Sequence, residues 1–95
     1  MIARIWRATI DPARAEEYER FAREVSLPMF RAHGGFRGCV FARDGPDCTV
    51  VTLWARPEDV AALETSTLYR ETVAAILAVG FVRTPADAVA APVLV

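Results

Sequence analysis

A fold of the α+β class, running strand, helix, two strands, helix, strand, is predicted for this 95-residue chain by three observations. Ile2 to Ile10 alternates as a half-buried strand does. Phe36 to Ala55 holds two strand-like runs around the turn residues Asp44, Gly45, Pro46 and Asp47. Two stretches with apolar residues three and four apart separate these units and follow them. Right-handed crossovers make the ferredoxin-like βαββαβ arrangement the economical connection: a four-stranded antiparallel sheet with helices on one face. A chain this short supports one core, so residues 1–95 are read as a single domain.

The first strand places Ile2, Arg4, Trp6, Ala8 and Ile10 on one face and Ala3, Ile5, Arg7 and Thr9 on the other. Asp11 then supplies an N-cap and Pro12 a first helical residue. Tyr18, Phe21, Ala22, Val25 and Met29 form the expected apolar stripe of that helix. Pro28 lacks a backbone donor and divides the helix near Ser26, a short turn continues to His33, and Gly34 and Gly35 end it. The hairpin pairs Phe36–Arg43 with Cys48–Ala55, so that Arg43 faces Cys48 and Cys39 faces Thr52. Cys39, Phe41, Arg43, Cys48, Val50, Thr52 and Trp54 share one face; Gly38, Val40, Ala42, Thr49, Val51, Leu53 and Ala55 share the other.

After Trp54, Pro57 to Glu64 reads as a short helix with acids in its first turn. Ser66 or Thr65 caps a second segment whose expected stripe is Leu68, Tyr69, Val73, Ile76 and Leu77, and Gly80 stops it. Phe81 to Pro85 is connection. Asp87 to Val95 closes the chain as a strand in which Pro92 calls for an edge position.

Both hairpin faces are largely apolar, and helices cover only one of them. Apolar residues make up 54% of the chain and charged residues 24%, more apolar than a solitary small domain requires, so a homodimer is expected. Eleven basic and twelve acidic residues, interleaved, leave a net charge of −1 and no phosphate-binding field, which argues against nucleic acid. All eleven basic residues are Arg, which removes lysine Schiff-base chemistry. The longest apolar stretch, Val73 to Val82, is about half of the roughly 20 residues a membrane crossing needs. Met1 runs directly into Ile2, Ala3, Arg4, Ile5 and Trp6 without the pattern of a signal peptide, so a cytoplasmic protein is expected. In the predicted register Cys39 and Cys48 lie four rungs apart, on the order of 14 Å, beyond the roughly 7 Å limit for a disulfide. They read as small apolar residues.

Three segments resemble a known family: MIARIWR at 1–7, Leu27 to Gly38 with Pro28 and Gly35, and TLWARPEDV at 52–60 followed by Ser66 and Tyr69. Together they are similar to the antibiotic biosynthesis monooxygenase-like members of the dimeric α+β barrel superfamily. The resemblance implies a homodimer whose two sheets pack face to face, with a pocket in each subunit between sheet and helices. It also implies a choice among cofactor-independent oxygenases of aromatic or polyketide-like phenols, haem-degrading enzymes and proteins without an activity. The haem-degrading relatives carry an Asn on the first strand, a Trp on the short helix and an axial His on the next. This chain has no Asn, and Leu63 and Val73 fall near the other two positions. One His and two separated Cys make no metal-ligand cluster either, so no metal or cofactor is expected.

Cofactor-free oxygenation needs an electron-rich phenol or enol, a group to ionise it, an apolar pocket and a donor for the resulting anion. His33 is the candidate base, Arg4 the anion stabiliser, with Arg7 a second possibility on the same strand, and Tyr69 a catalytic donor. Trp6, Trp54, Leu63 and Val73 are the expected substrate-binding walls. The competing reading assigns the aromatics to the core and His33 to the negative end of the helix dipole, in a non-enzymatic ligand-binding or structural dimer.

Overall fold

The computed structural model describes residues 1–84 and 86–95. Its elements follow the expected order: β1 (Ile2–Thr9), α1 (Ala15–Phe21), α2 (Leu27–Arg31), β2 (Phe36–Asp44), β3 (Asp47–Trp54), α3 (Pro57–Thr65), α4 (Thr67–Val79) and β4 (Asp87–Pro92). The strands pair antiparallel in the order β2-β3-β1-β4, which is the ferredoxin-like sheet. β4 lies at an edge, and Pro92 occupies its last rung opposite Ile2. In the connection before β4, Val82 bridges Ile10, while Pro85 lies outside the described residues.

The hairpin register is the expected one, with Arg43 opposite Cys48 and Cys39 opposite Thr52. One irregularity was not foreseen. Phe36 pairs with Trp54 and Gly38 with Leu53, so Arg37 is an extra residue that bulges out of β2. The bulge returns Phe36 to the helix-facing side, where its ring packs against Phe30 and Trp54.

Asp11 caps the first helical turn, its Oδ1 accepting the Ala13 N–H at 3.0 Å. Between α1 and α2 the chain takes a π-helical turn over Ala22–Ser26, in which the Leu27 N–H reaches the Ala22 carbonyl five residues back. Pro28 has no N–H to continue the i→i−4 ladder, and the wider turn precedes it. The added residue rotates the helix face. Val25, expected in the apolar stripe, therefore points outward at 40% exposure, while Met29 is buried as expected and Phe30 joins it.

The stripe of α4 is corrected too, although this helix is regular. Leu68 and Leu77 are exposed, and the inward line runs Tyr69, Thr72, Val73, Ile76. At 100° per residue, Leu68 and Leu77 sit roughly 100° to either side of that line, on its flanks. Ser66 caps the helix by accepting the Tyr69 N–H at 3.0 Å, and Gly80 ends it at φ +90°.

Where the first helical region returns to the sheet, the Ala55 N–H bonds the Gly35 carbonyl at 2.9 Å. Asp59, nearly buried in the first turn of α3, accepts the Arg56 N–H at 3.0 Å through Oδ2. Gly35 lies against that carboxylate at φ +82°, and a Cβ there would collide with it.

The core forms two clusters under the helices. One gathers Ile10, Tyr18, Cys48, Ile76 and Phe81; the other gathers Met29, Phe30, Val50, Trp54, Val60 and Leu63. The opposite face of the sheet carries no helix. Across it one rung reads Val40, Val51, Ile5, Val89 and the next Gly38, Leu53, Ala3, Ala91. Val40 and Val89 are 59% and 58% exposed.

Candidate functional site

Arg4 is the most unusual side chain of the helix-facing surface, because β1 carries it inward among apolar residues at 3% exposure. A guanidinium so placed needs partners, since desolvating a charge is costly. Its Nη2 donates to the Tyr69 hydroxyl at 2.7 Å and its Nε to Glu64 Oε2 at 3.2 Å. Tyr69 reaches it from the first turn of α4, where the Ser66 cap fixes the backbone. A guanidinium has five N–H donors, so these two bonds leave three for other acceptors. The phenol accepts from Arg4 and keeps its own O–H to donate.

Arg4 and Tyr69 border a cavity of about 40 Å³ between the sheet and the helices. Trp6 and Val73 line it too, so four of the expected site residues come together. Sequence reasoning missed Ser26, Phe41 and Thr72, which also face it. Two had a signal: Phe41 shares its strand face with Cys39, and Thr72 stands one turn after Tyr69. Ser26 is turned inward by the π-helical segment, which the sequence does not announce. Thr72 returns its hydroxyl to the Leu68 carbonyl at 2.9 Å, leaving the lining largely apolar.

Three other expected site residues lie elsewhere. Trp54 and Leu63 are fully buried in the core, Trp54 donating from Nε1 to Thr52 Oγ1 at 2.8 Å and packing edge-on to Phe30 and Phe36. Neither borders the cavity. His33 also stands outside its lining, with both ring nitrogens engaged: Nδ1 at 2.8 Å from the Met29 carbonyl, Nε2 at 2.7 Å from Ser66 Oγ. A carbonyl only accepts, so Nδ1 carries the hydrogen and, in the neutral ring, Nε2 accepts from the Ser66 hydroxyl. His33 thus satisfies a terminal carbonyl of α2 and ties it to the cap of α4. Arg7, on the opposite face of β1, is exposed.

The thiols are poor nucleophiles. Both cysteines are free, and burial pushes the Cys39 thiol up to about 11 and raises Cys48 as well. Burial also raises the Tyr18 phenol, whose buried hydroxyl has no hydrogen-bond partner among the described residues. A larger groove of about 280 Å³, bordered by Tyr18, Arg23, Phe41 and Arg43, offers less chemistry. Its Arg43 is already bonded to the Gly45 carbonyl at 2.9 Å and to Glu19 at 3.4 Å. Among the described residues no helix is long and apolar enough to cross a membrane.

No family model and no curated protein matches the chain by sequence. Solved structures share its fold. The monooxygenase ActVA-Orf6 of Streptomyces coelicolor, in complex with Nanaomycin D, superposes with a TM-score of 0.82 at 16% identity, covering 95% of this chain and 84% of that one. SnoaB, a cofactor-independent oxygenase from Streptomyces nogalater, gives 0.77 at 16% identity over 97% and 91%. Rv0793 from Mycobacterium tuberculosis gives 0.76 at 16% identity over 98% and 94%. A further structure with this architecture is an antibiotic biosynthesis monooxygenase. The fold is the one those proteins adopt.

Proposed function

We propose that this chain is a cofactor-independent monooxygenase of the antibiotic biosynthesis monooxygenase family, acting as a homodimer on an aromatic or polyketide-like phenol. The observation that carries the reading is the 2.7 Å bond from a buried Arg4 to Tyr69 on an otherwise apolar cavity. A phenol or enol reacts with oxygen through its anion, and a buried guanidinium beside a phenolic donor stabilises that charge where it develops. Trp6 and Val73 form the apolar walls. Trp54 and Leu63 support the site from the core, and His33 positions Tyr69 through Ser66.

The homodimer is supported by the helix-free sheet face, where aliphatic rungs run across all four strands. Sedimentation equilibrium is expected at twice the 10.4 kDa chain mass, and a stable monomer at micromolar concentration contradicts it. The two free thiols fit the reducing cytoplasm.

The activity is tested by oxygen uptake. Purified protein without added flavin or metal accelerates oxygen consumption by hydroxynaphthalene or anthrone-type substrates; no acceleration across such a panel defeats the reading. A second reading, a non-enzymatic ligand-binding or structural barrel, is favoured by the cavity's size. About 40 Å³ is far below the roughly 300 Å³ at which small-molecule pockets begin, so a ring enters only if the walls move. Ligand binding without oxygen consumption would select it.

A further inference from the structure

Glu64 has no part in the reading so far, yet it is the only carboxylate bonded to Arg4 among the described residues. The two partners are unequally placed. The Arg4 side chain is 4% exposed, whereas that of Glu64 is 48% exposed. Their bond is a single contact at 3.2 Å to Nε rather than a bidentate fork. Two features therefore weaken its hold: solvent and geometry.

The same carboxylate is what makes a buried guanidinium at the cavity tolerable. Tyr69 offers Arg4 a neutral oxygen, so without Glu64 the guanidinium would be a buried cation with no counter-charge. A ligand bringing its own acidic oxygen supplies that counter-charge and leaves Glu64 free to return to water. A neutral ligand of the same shape does not.

Resting on the reading of this cavity as the substrate site, we propose that Glu64 is a displaceable counter-ion. It makes the site selective for an apolar ring system bearing one anionic oxygen group, which takes its place on Arg4. Glu64 is a specificity residue here. It competes with the ligand's charge, so removing its own charge strengthens anion binding.

Titration calorimetry with 1-naphthoate and its neutral counterpart 1-naphthamide tests this in the full-length protein. Naphthoate should bind more tightly than naphthamide. Glu64→Gln should tighten naphthoate by roughly fivefold, the scale of one partly screened charge interaction. The same variant should move naphthamide less than twofold. Arg4→Gln should erase the preference for the anion. Glu64→Gln keeps an amide oxygen that can accept from Arg4 Nε, so its variant folds even if the Arg4 variant does not. Unchanged or weaker naphthoate binding in Glu64→Gln overturns the proposal, as does equal binding of the two probes, or of neither at millimolar concentration, by the unaltered protein. Turnover is not the readout. Binding in the expected pattern without oxygen consumption supports the role of Glu64 and defeats the oxygenase reading alone.

Discussion

Around Trp54 the space between sheet and helices is filled, and around Arg4 it is left partly open, although both residues stand on the same sheet face. Trp54 is fully buried, its indole N–H is satisfied two residues away by Thr52, and Phe30 and Phe36 close on its ring. Arg4 is nearly as buried but keeps unused donors, leans on a half-exposed carboxylate and borders a cavity. A polar group completed inside the core serves architecture. A charged group left incomplete at a cavity is where an external ligand has something to add.

The contrast predicts different consequences for substitutions at its two ends. Trp54→Ala has the largest expected effect, a loss of about 3–5 kcal/mol in urea unfolding, because the emptied volume is ringed by aromatics that cannot collapse onto it. A loss under about 1 kcal/mol would mean that this end is not the core described. Gly35→Ala comes next, with a loss of at least about 2 kcal/mol. It places a side chain at positive φ and pushes the Asp59 carboxylate off the Arg56 N–H. Tyr69→Phe reverses the pattern. Its stability falls by about 1.5 kcal/mol, because a buried charged donor loses its acceptor, while oxygen uptake with the preferred substrate falls roughly a hundredfold. Equal activity would remove the phenol from the chemistry.

The smallest effect is at Cys39. Its thiol titrates near 11, above the ordinary value of 9.0, because burial disfavours the thiolate. The folded protein then keeps that proton to higher pH than the unfolded chain does. Its contribution to stability is complete below about pH 9 and lost as pH rises towards 11. Iodoacetamide labelling of Cys39 should be slow at pH 8 and rise roughly tenfold per pH unit, whereas fast labelling at neutral pH would show a thiolate there.

Much of the architecture was legible because alternation and turn chemistry are local. Asp44 to Asp47 set the hairpin register to the residue, Pro92 put β4 at an edge, and Ser66 and Gly80 bounded α4. Two errors fell where the backbone departs from regular geometry. The π-helical turn over Ala22–Ser26 turned Val25 outward, and the bulge at Arg37 returned Phe36 to the core. An extra residue in a turn or rung leaves little trace in composition but inverts the faces beyond it.

The site was legible only in part for a related reason. Arg4 and Trp6 share a strand face, and Tyr69 and Val73 share a helix face, so two periodicities placed them together. Trp54 and Leu63 obey the same periodicities, and nothing local tells a residue at a cavity from one in the core. His33 ends a helix as expected and its bond to Met29 is local, but its bond to Ser66 depends on two helix ends meeting across 33 residues of sequence. Glu64 reads as an ordinary surface acid until α3 packs beside β1.

The most direct test is a crystal structure with a hydroxynaphthalene bound. The account predicts the ring between Trp6 and Val73 in a widened cavity, its oxygen about 3 Å from an Arg4 nitrogen and from the Tyr69 hydroxyl. A ligand seated in the groove beside Arg43, with the space at Arg4 and Tyr69 unchanged, would contradict it.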